Sequence, residues 1–477
     1  MTAKSKSKFW NFVDNLEGDK VVWMVVLLLI LTSILAVFSS TSLLAIETHT
    51  TRTGIMGEQI LFSIVGLAVI IFVYNISNLK VFRFFSKLGF IISVLLLLVL
   101  ASHIDLGIIK AQRINGAYRT LRIFGFQFHV FEFTKIAMTM YLAWAIDALK
   151  TESLPLAKLA KAFTKGKKLD FELDTYKKWI YIYCPVGIVT VLILLGSFSS
   201  AAFICIIMVF TIVIGGINIK DVLIPGFIMA AILGGTVYAG YTLSGGKMFE
   251  RFPTWISRMH SDNYLEKLHQ YSDDKNSIEF REVADKARQP ISALIAIKEG
   301  KLTGKGAGNS TQRYVVPVMF GDYMFSFICE EYGLIGAIFI IALYLSLLAR
   351  GSMIVRNCKT VYEKCAVAGL TLLITGQAFM HMMINVGLGP LTGQTLPIIS
   401  HGTASFLMFC LAFGVILSFS KMAKKQMDKE TKEILEAEGE LGIRTYADVE
   451  DPNKESVDEV YESISDVENI EEQFEVE

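Results

Sequence analysis

Ten stretches of this sequence stay apolar for about the length that a helix needs to cross a bilayer: 21–39, 58–76, 85–103, 131–149, 179–197, 199–217, 222–241, 323–347, 364–386 and 401–419. A hydrocarbon core of about 30 Å takes about 20 residues at 1.5 Å each. In lipid, every backbone amide must find its partner within the span, which leaves the α-helix for runs of this length. The expected fold is an all-α polytopic membrane protein with ten transmembrane helices. Composition agrees: 53% of the 477 residues are hydrophobic and 19% charged, with a mean hydropathy of +0.49. The first run is too long for a signal peptide and no small-x-small site follows Ser40, so it reads as an uncleaved anchor. The runs 179–197 and 199–217 are parted only by a short Gly-Ser turn.

Lys and Arg set the expected orientation. They gather at Lys4, Lys6, Lys8 and Lys20, at Lys80, Arg83 and Lys87, between Lys150 and Lys178, and at Arg350, Arg356, Lys359 and Lys364. Ten spans put all of these on one side, with both termini cytoplasmic. Residues 1–20 are then a cytoplasmic N-terminus and 21–420 a ten-helix membrane domain. Residues 242–322 form a large extracytoplasmic loop between helices 7 and 8, and 421–477 an acidic cytoplasmic tail, largely disordered after a helical start. One outer loop, 104–130, breaks the charge rule with Lys110, Arg113, Arg119 and Arg122. Either these cations pair within the outer loops, or they meet an anion such as a lipid phosphate, whose oxygens suit guanidinium forks. The six cysteines form no C-x-x-C pair, which excludes a zinc site of the usual spacing and a disulfide framework. Nothing points to nucleic acid.

Ionisable groups at membrane depth are costly and mark cavities or pairs. Glu132 and Lys135 stand three apart, on one helix face. They either neutralise each other, or Lys135 faces a phosphate that Glu132 orients. Asp322 lies where the eighth run begins, either as an N-cap or as a carboxylate with chemical work, its ionised form favoured by the helix N-terminus. Glu330 and Glu331 follow about 12 Å deeper along the axis, Glu330 broadly on the side of Asp322 and Glu331 towards a neighbouring helix. The preceding GKGAGNSTQR, 304–313, is not a P-loop. Its glycines, with Lys305, Asn309, Gln312 and Arg313, still offer donors to a phosphate. Residues 387–405 hold too much Gly and Pro for a regular helix. Such backbone is tolerated at depth only inside protein or against a wet cavity, so it is expected to wall the same cavity, with His401 a structural donor rather than a base.

Three segments carry a resemblance to a known family. INGAYRTLRIFGFQFHVFEFTKIAM resembles the "NGARRW…GPFQFQPSEFAK" segment of the SEDS family (FtsW, RodA and SpoVE). ISALIAIKEGKLTGKGAGNSTQRYVVPVMFGDYMFSFICEEYGLIG is similar to its "SLIAIGSGGLFGKGLGNS.QK…PEAHTDFIFSVIAEELGFIG", and GLGPLTGQTLPIISHGTAS to its "GLLPVTGLPLPFISYGGSS". The likeness spans roughly 15–425 and fits ten helices with a large outer loop before the eighth.

The resemblance implies a polymerase that builds peptidoglycan glycan strands from lipid II. It places catalysis on Asp322, matching the acid of "HTDF". It implies substrate contacts at Arg119, Glu132, Lys135, Lys305, Asn309, Gln312, Arg313, Ser400 and His401. Asn115, Gly116, Gly304, Gly306, Gly308, Glu330 and Glu331 shape the cavity. A sugar 4-hydroxyl attacks an anomeric carbon while a polyprenyl diphosphate leaves; Asp322 is the general base and the cations meet the diphosphate. Direct attack inverts the centre and needs one carboxylate, not the pair of a retaining glycosidase. The chemistry leaves room for a divalent cation, magnesium or manganese, on the diphosphate, without a dedicated ligand cluster to identify it; no organic cofactor is expected.

Expected partners are a class B penicillin-binding protein and the divisome, in a bacterial inner membrane with the catalytic face outside. The 38–45 segment and the acidic tail favour an FtsW-type division protein. The alternatives are a lipid II flippase, a RodA-type elongation polymerase and a weakly active transpeptidase scaffold. This chain departs from the family at Val318 and Phe320, where the family has Glu and His, at Tyr118 instead of Arg, and at GSFSSAA (196–202) instead of "PDLGT". These changes predict a less polar cavity.

Overall fold

A computed structural model describes residues 17–102, 109–114, 117–123, 126–154, 175–243, 278–316, 318–389 and 392–440. Asn115 and Gly116, residues 244–277 of the expected outer loop, and the tail beyond 440 lie outside these residues. Each apolar run falls in a helix. α1 spans Lys20–Ser40, the short α2 Ser42–Glu47, α3 Arg52–Asn75, α4 Leu79–Ser102 and α5 Val130–Lys150. A π-turn, Trp179–Tyr183, opens α6, Cys184–Gly196; α7 spans Phe198–Ile214 and α8 Ile219–Leu243. α9 spans Ile278–Gly300, α10 Met324–Asn357, α11 Val361–Asn385 and α12 Thr403–Glu440. Among the described residues, seven helical stretches are long and apolar enough to cross a membrane: α1, α3, α4, Thr175–Gly196, α10, α11 and most of α12. Residues up to Ala423 form one compact unit, and the second, from Lys424, is described only as the end of α12.

The chain is not all-α. Strands β1 (Ile109–Ile114), β2 (Ala117–Ile123) and β3 (Phe126–His129) make an antiparallel sheet in the order β1-β2-β3 within the expected 104–130 loop. Its cations favour a loop on sequence alone, and β2 shows no clean alternation: Thr120 and Leu121 are both buried while Arg122 is exposed. Thr120 pairs with His129, so the sheet runs directly into α5.

α5 and α11 are the buried centre of the helix bundle. From Thr134 to Ala148 α5 is buried almost throughout, against α4, α7 and α11. The perimeter is the reverse of a soluble protein's. Phe72 is 70% and Phe227 77% exposed, with Leu61, Ile64, Leu95 and Ile224 alongside, as lipid contact requires. Ion pairs tie helices at the end of α5 away from Lys135. Arg83 meets Asp147 at 2.7 Å, and Asp147 also accepts from the Tyr362 amide at the start of α11 (3.2 Å).

Candidate active site

Glu330 and Glu331 sit at a break in α10. Gly333 has φ 64° and ψ −160°, and the 301–306 segment is threaded into the gap. In an unbroken helix the amides of Leu334 and Ile335 would bond the carbonyls of Glu330 and Glu331. Here they donate to Lys301 O (2.9 Å) and Leu302 O (3.3 Å), and the freed carbonyls accept from Lys305 N (2.9 Å) and Gly306 N (3.0 Å). Both of these bonds are thus replaced, donor and acceptor alike. Gly304 permits this approach, since a Cβ there would press into the Glu331 carbonyl. Gly304→Ala is expected to expel the segment and cost about 2–4 kcal/mol, at roughly 1 kcal/mol per lost backbone bond. Denaturation in detergent measures it, and unchanged stability would contradict the threading.

The two carboxylates clamp the same glycine-rich loop and are both fully buried. Glu330 accepts from Lys305 Nζ (2.7 Å), Ser310 Oγ (2.5 Å) and the amides of Thr311 (2.8 Å) and Gln312 (3.3 Å). Glu331 accepts from Ser39 Oγ on α1 (2.6 Å) and the Gly308 amide (3.0 Å). Lys305 also pairs with Glu299. Its ammonium titrates above the ordinary lysine value: desolvation opposes the charge, and hydrogen bonds to Glu299 and Glu330 outweigh it. Arg313 is buried, donating to Ser39 O (3.1 Å) and Gly308 O (2.6 Å). Asn309 Nδ2 donates to Lys305 O within the loop (3.1 Å). Lys305 and Arg313 thus direct their donors into the protein, instead of the phosphate site expected from the glycine-rich run.

A second polar cluster surrounds Lys135, which is 1% exposed. An ammonium has three protons, and Lys135 has three close acceptors: Glu132 Oε1 (2.7 Å), Gln377 Oε1 (2.8 Å) and Gln394 Oε1 (3.0 Å). No proton is left over for a phosphate. Gln394 Nε2 donates to Ser200 Oγ (2.9 Å), so the stretch that lacks the family's acid supplies a hydroxyl instead. Arg119 sits on β2 beside this cluster. The imidazole of His129 titrates below its ordinary value because it is buried; Glu132 opposes that shift, while Lys135 and Arg119 add to it.

Asp322 lies in the turn before α10, half-buried. It is not the N-cap: that position belongs to Tyr323, which makes no side-chain cap bond. Its backbone is pinned on both sides, Asp322 N donating to Val318 O (3.1 Å) and Asp322 O accepting from Asn385 Nδ2 (3.1 Å). Next to its carboxylate is Gly393, where an added Cβ would stand 3.4 Å from Oδ2. Gly393 precedes Gln394, so one turn links Asp322 to the Lys135 cluster. Ser400 is buried and structural, donating to Gly321 O (2.8 Å). The His401 amide donates to Phe320 O (2.9 Å), and its Nδ1 faces Gln59 Oε1 at 3.2 Å. Gln377, Gln394, Ser200, His381 and Asn385 escaped sequence reasoning. Gln377, His381, Asn385 and Ser200 are uncharged polar residues inside apolar runs, which is the signal they carry, whereas Gln394 lies in the 387–405 turn and carries none. Among the described residues, no group of three or more His, Cys, Asp or Glu could hold a metal ion.

Fold and site together define a multi-pass membrane protein with a carboxylate and a buried cation cluster joined at one end of its helix bundle. The chain belongs to the FtsW/RodA/SpoVE family of cell cycle proteins, whose pattern matches residues 19–425. It is 25% identical over 407 residues to stage V sporulation protein E of Bacillus subtilis, covering 85% of this chain and 98% of that protein. It is 26% identical over 409 residues to a probable peptidoglycan glycosyltransferase FtsW of Trichlorobacter lovleyi, covering 85% and 93%. Its fold is similar, at a TM-score of 0.58 and 17% identity, to a chain solved in work on the structural coordination of polymerization and crosslinking by a peptidoglycan synthase complex, covering 85% of this chain and 98% of that one.

Proposed function

We propose that this protein is a peptidoglycan glycosyltransferase that lengthens glycan strands from lipid II by inverting transfer, with Asp322 as general base. The observation that carries the reading is the Asp322 carboxylate set against Gly393, one residue from the amide that binds Lys135. The attacking hydroxyl needs a base within hydrogen-bond reach, and the leaving diphosphate needs positive potential. Lys135, with its protons engaged, supplies field rather than a direct bond; Arg119 on the neighbouring strand is the candidate fork for diphosphate oxygens. An apolar groove of about 320 Å³ along α5, lined by Phe82, Phe85, Phe133, Ile136 and Met140 among others, suits a prenyl chain. The described side chains offer no metal ligand set, so no step is assigned to a divalent cation.

The reading extends to topology and setting. Ten spans put both termini in the cytoplasm and Asp322 at the outer face of a bacterial inner membrane. A class B transpeptidase is the partner, and septal synthesis with divisome proteins is the setting. Full-length protein, incubated with fluorescent lipid II with and without such a partner, tests it: long glycan polymer is the expected product. Lipid scrambling without polymer would replace the polymerase by a flippase, and neither activity would leave a scaffold.

Gly393→Ala probes the same geometry. Its φ of +40° disfavours a Cβ by about 1–2 kcal/mol, and the added methyl would lie in van der Waals contact with Oδ2, so relief of the backbone strain shifts the turn against the carboxylate. Polymerisation is expected to fall about tenfold with the folded fraction unchanged, in keeping with the sensitivity of catalysis to sub-ångström misplacement. A full-rate alanine variant would separate Gly393 from the site.

A further inference from the structure

α10 begins without a cap of its own. Its first intrahelical bond runs from Phe327 N to Tyr323 O (3.1 Å), which leaves the earlier amides to be satisfied from outside. Two are satisfied by α11. His381 Nε2 accepts from Phe325 N (3.3 Å), and Asn385 Oδ1 accepts from Ser326 N (3.0 Å) and Ser326 Oγ (2.9 Å). The other ends of these side chains are also engaged. His381 Nδ1 lies 2.7 Å from Gln394 O, and Asn385 Nδ2 donates to Asp322 O at 3.1 Å. An amide can only donate and a carbonyl only accept, so His381 is a neutral ring with its proton on Nδ1.

Gln377, His381 and Asn385 stand four apart on α11 and form one stripe. Gln377 accepts from Lys135 and donates to Thr395 O (3.0 Å). His381 joins the 392–396 turn to the start of α10, and Asn385 holds the backbone of Asp322 itself. All three are buried, His381 completely. A stripe serving bundle stability alone would need partners of any kind. Here the partners outside α11 belong to Lys135, to the 392–396 turn, to the Asp322 backbone and to the first turn of α10 that follows it; within α11, Asn385 Nδ2 also donates to His381 O (2.8 Å).

We propose that this α11 stripe is the positioning element of the reaction, fixing Asp322 relative to Lys135 by capping α10 from a neighbouring helix. His381 and Asn385 are positioning residues that do not touch substrate. The inference rests on the polymerase reading, and its test separates the two. His381→Leu, Asn385→Leu and His381→Gln are made in full-length protein and assayed on lipid II with the transpeptidase partner. Amide exchange over 323–327 is followed in the same samples by mass spectrometry.

The leucine variants are expected to lower kcat per folded molecule about tenfold or more, with KM within about twofold, and to speed exchange in that peptide. His381→Gln keeps a donor and an acceptor and is expected to recover most of the rate. Unchanged kcat per folded molecule, unchanged exchange, or a glutamine variant no better than leucine each overturns the proposal. Wild-type protein that makes no polymer overturns the polymerase reading, and the positioning role with it, while faster exchange in the variants would still establish the cap.

Discussion

Asp322→Asn is expected to leave the protein folded and lipid II bound, and to lower polymerisation by about 10²–10⁴-fold, the usual worth of a positioned general base. Asparagine matches aspartate in shape, so the backbone bonds to Val318 O and Asn385 Nδ2 persist and Gly393 meets a side chain of the same size. The capacity to take a proton is lost, together with the negative charge and one acceptor oxygen. The informative measurement is turnover on fluorescent lipid II beside a melting curve. A variant that polymerises at the wild-type rate ends the assignment of Asp322 as base, whatever else in the site stands. A variant that is slow and also unfolded says nothing about the base, which is why the melting curve belongs in the experiment.

Lys135→Met is expected to cost both stability and activity. It strips Glu132 of its counter-ion and leaves Gln377 Oε1 and Gln394 Oε1 without the donor they share. Breaking a fully buried pair from one side typically costs about 3–5 kcal/mol; Glu132 is only half-buried, so the loss is expected towards the lower end of that range. Adding Glu132→Gln to Lys135→Met should therefore recover part of the stability, a coupling that a double-mutant cycle reads directly. Activity should not return, since the positive potential at the site is still missing. Lys135→Arg should be a poor substitute, because a flat fork cannot match three acceptors arranged around a point. If the double variant is less stable than Lys135→Met, Glu132 has another partner that matters more.

The helices were legible because lipid leaves a long apolar run no other form, and the 131–149 run even marked its own site through Glu132 and Lys135. The sheet was not: four cations among its residues suggested a loop, and the buried Thr120 and Leu121 stand side by side, so β2 shows no clean alternation. Glu330 and Glu331 were noticed as costly, but their partners come from a loop about twenty residues upstream in the chain, and no periodicity encodes that meeting. The amides around Lys135 were hidden for a different reason. Gln377 and Gln394 lie 242 and 259 residues away and carry no charge to betray them. Asp322 was found by its position before an apolar run; the capping role weighed as the alternative to catalysis falls instead to side chains of α11.

The segment threaded into α10 bears on how the protein is made. Residues 301–306 leave the ribosome before Gly333 does, so the donors that will meet the Glu330 and Glu331 carbonyls already exist when the interrupted helix emerges. The polypeptide need never commit bare peptide groups to hydrocarbon while waiting for a later stretch to arrive. Moving the glycine-rich segment downstream of α10 in a permuted gene would reverse that sequence of events and leave a half-helix stranded at birth.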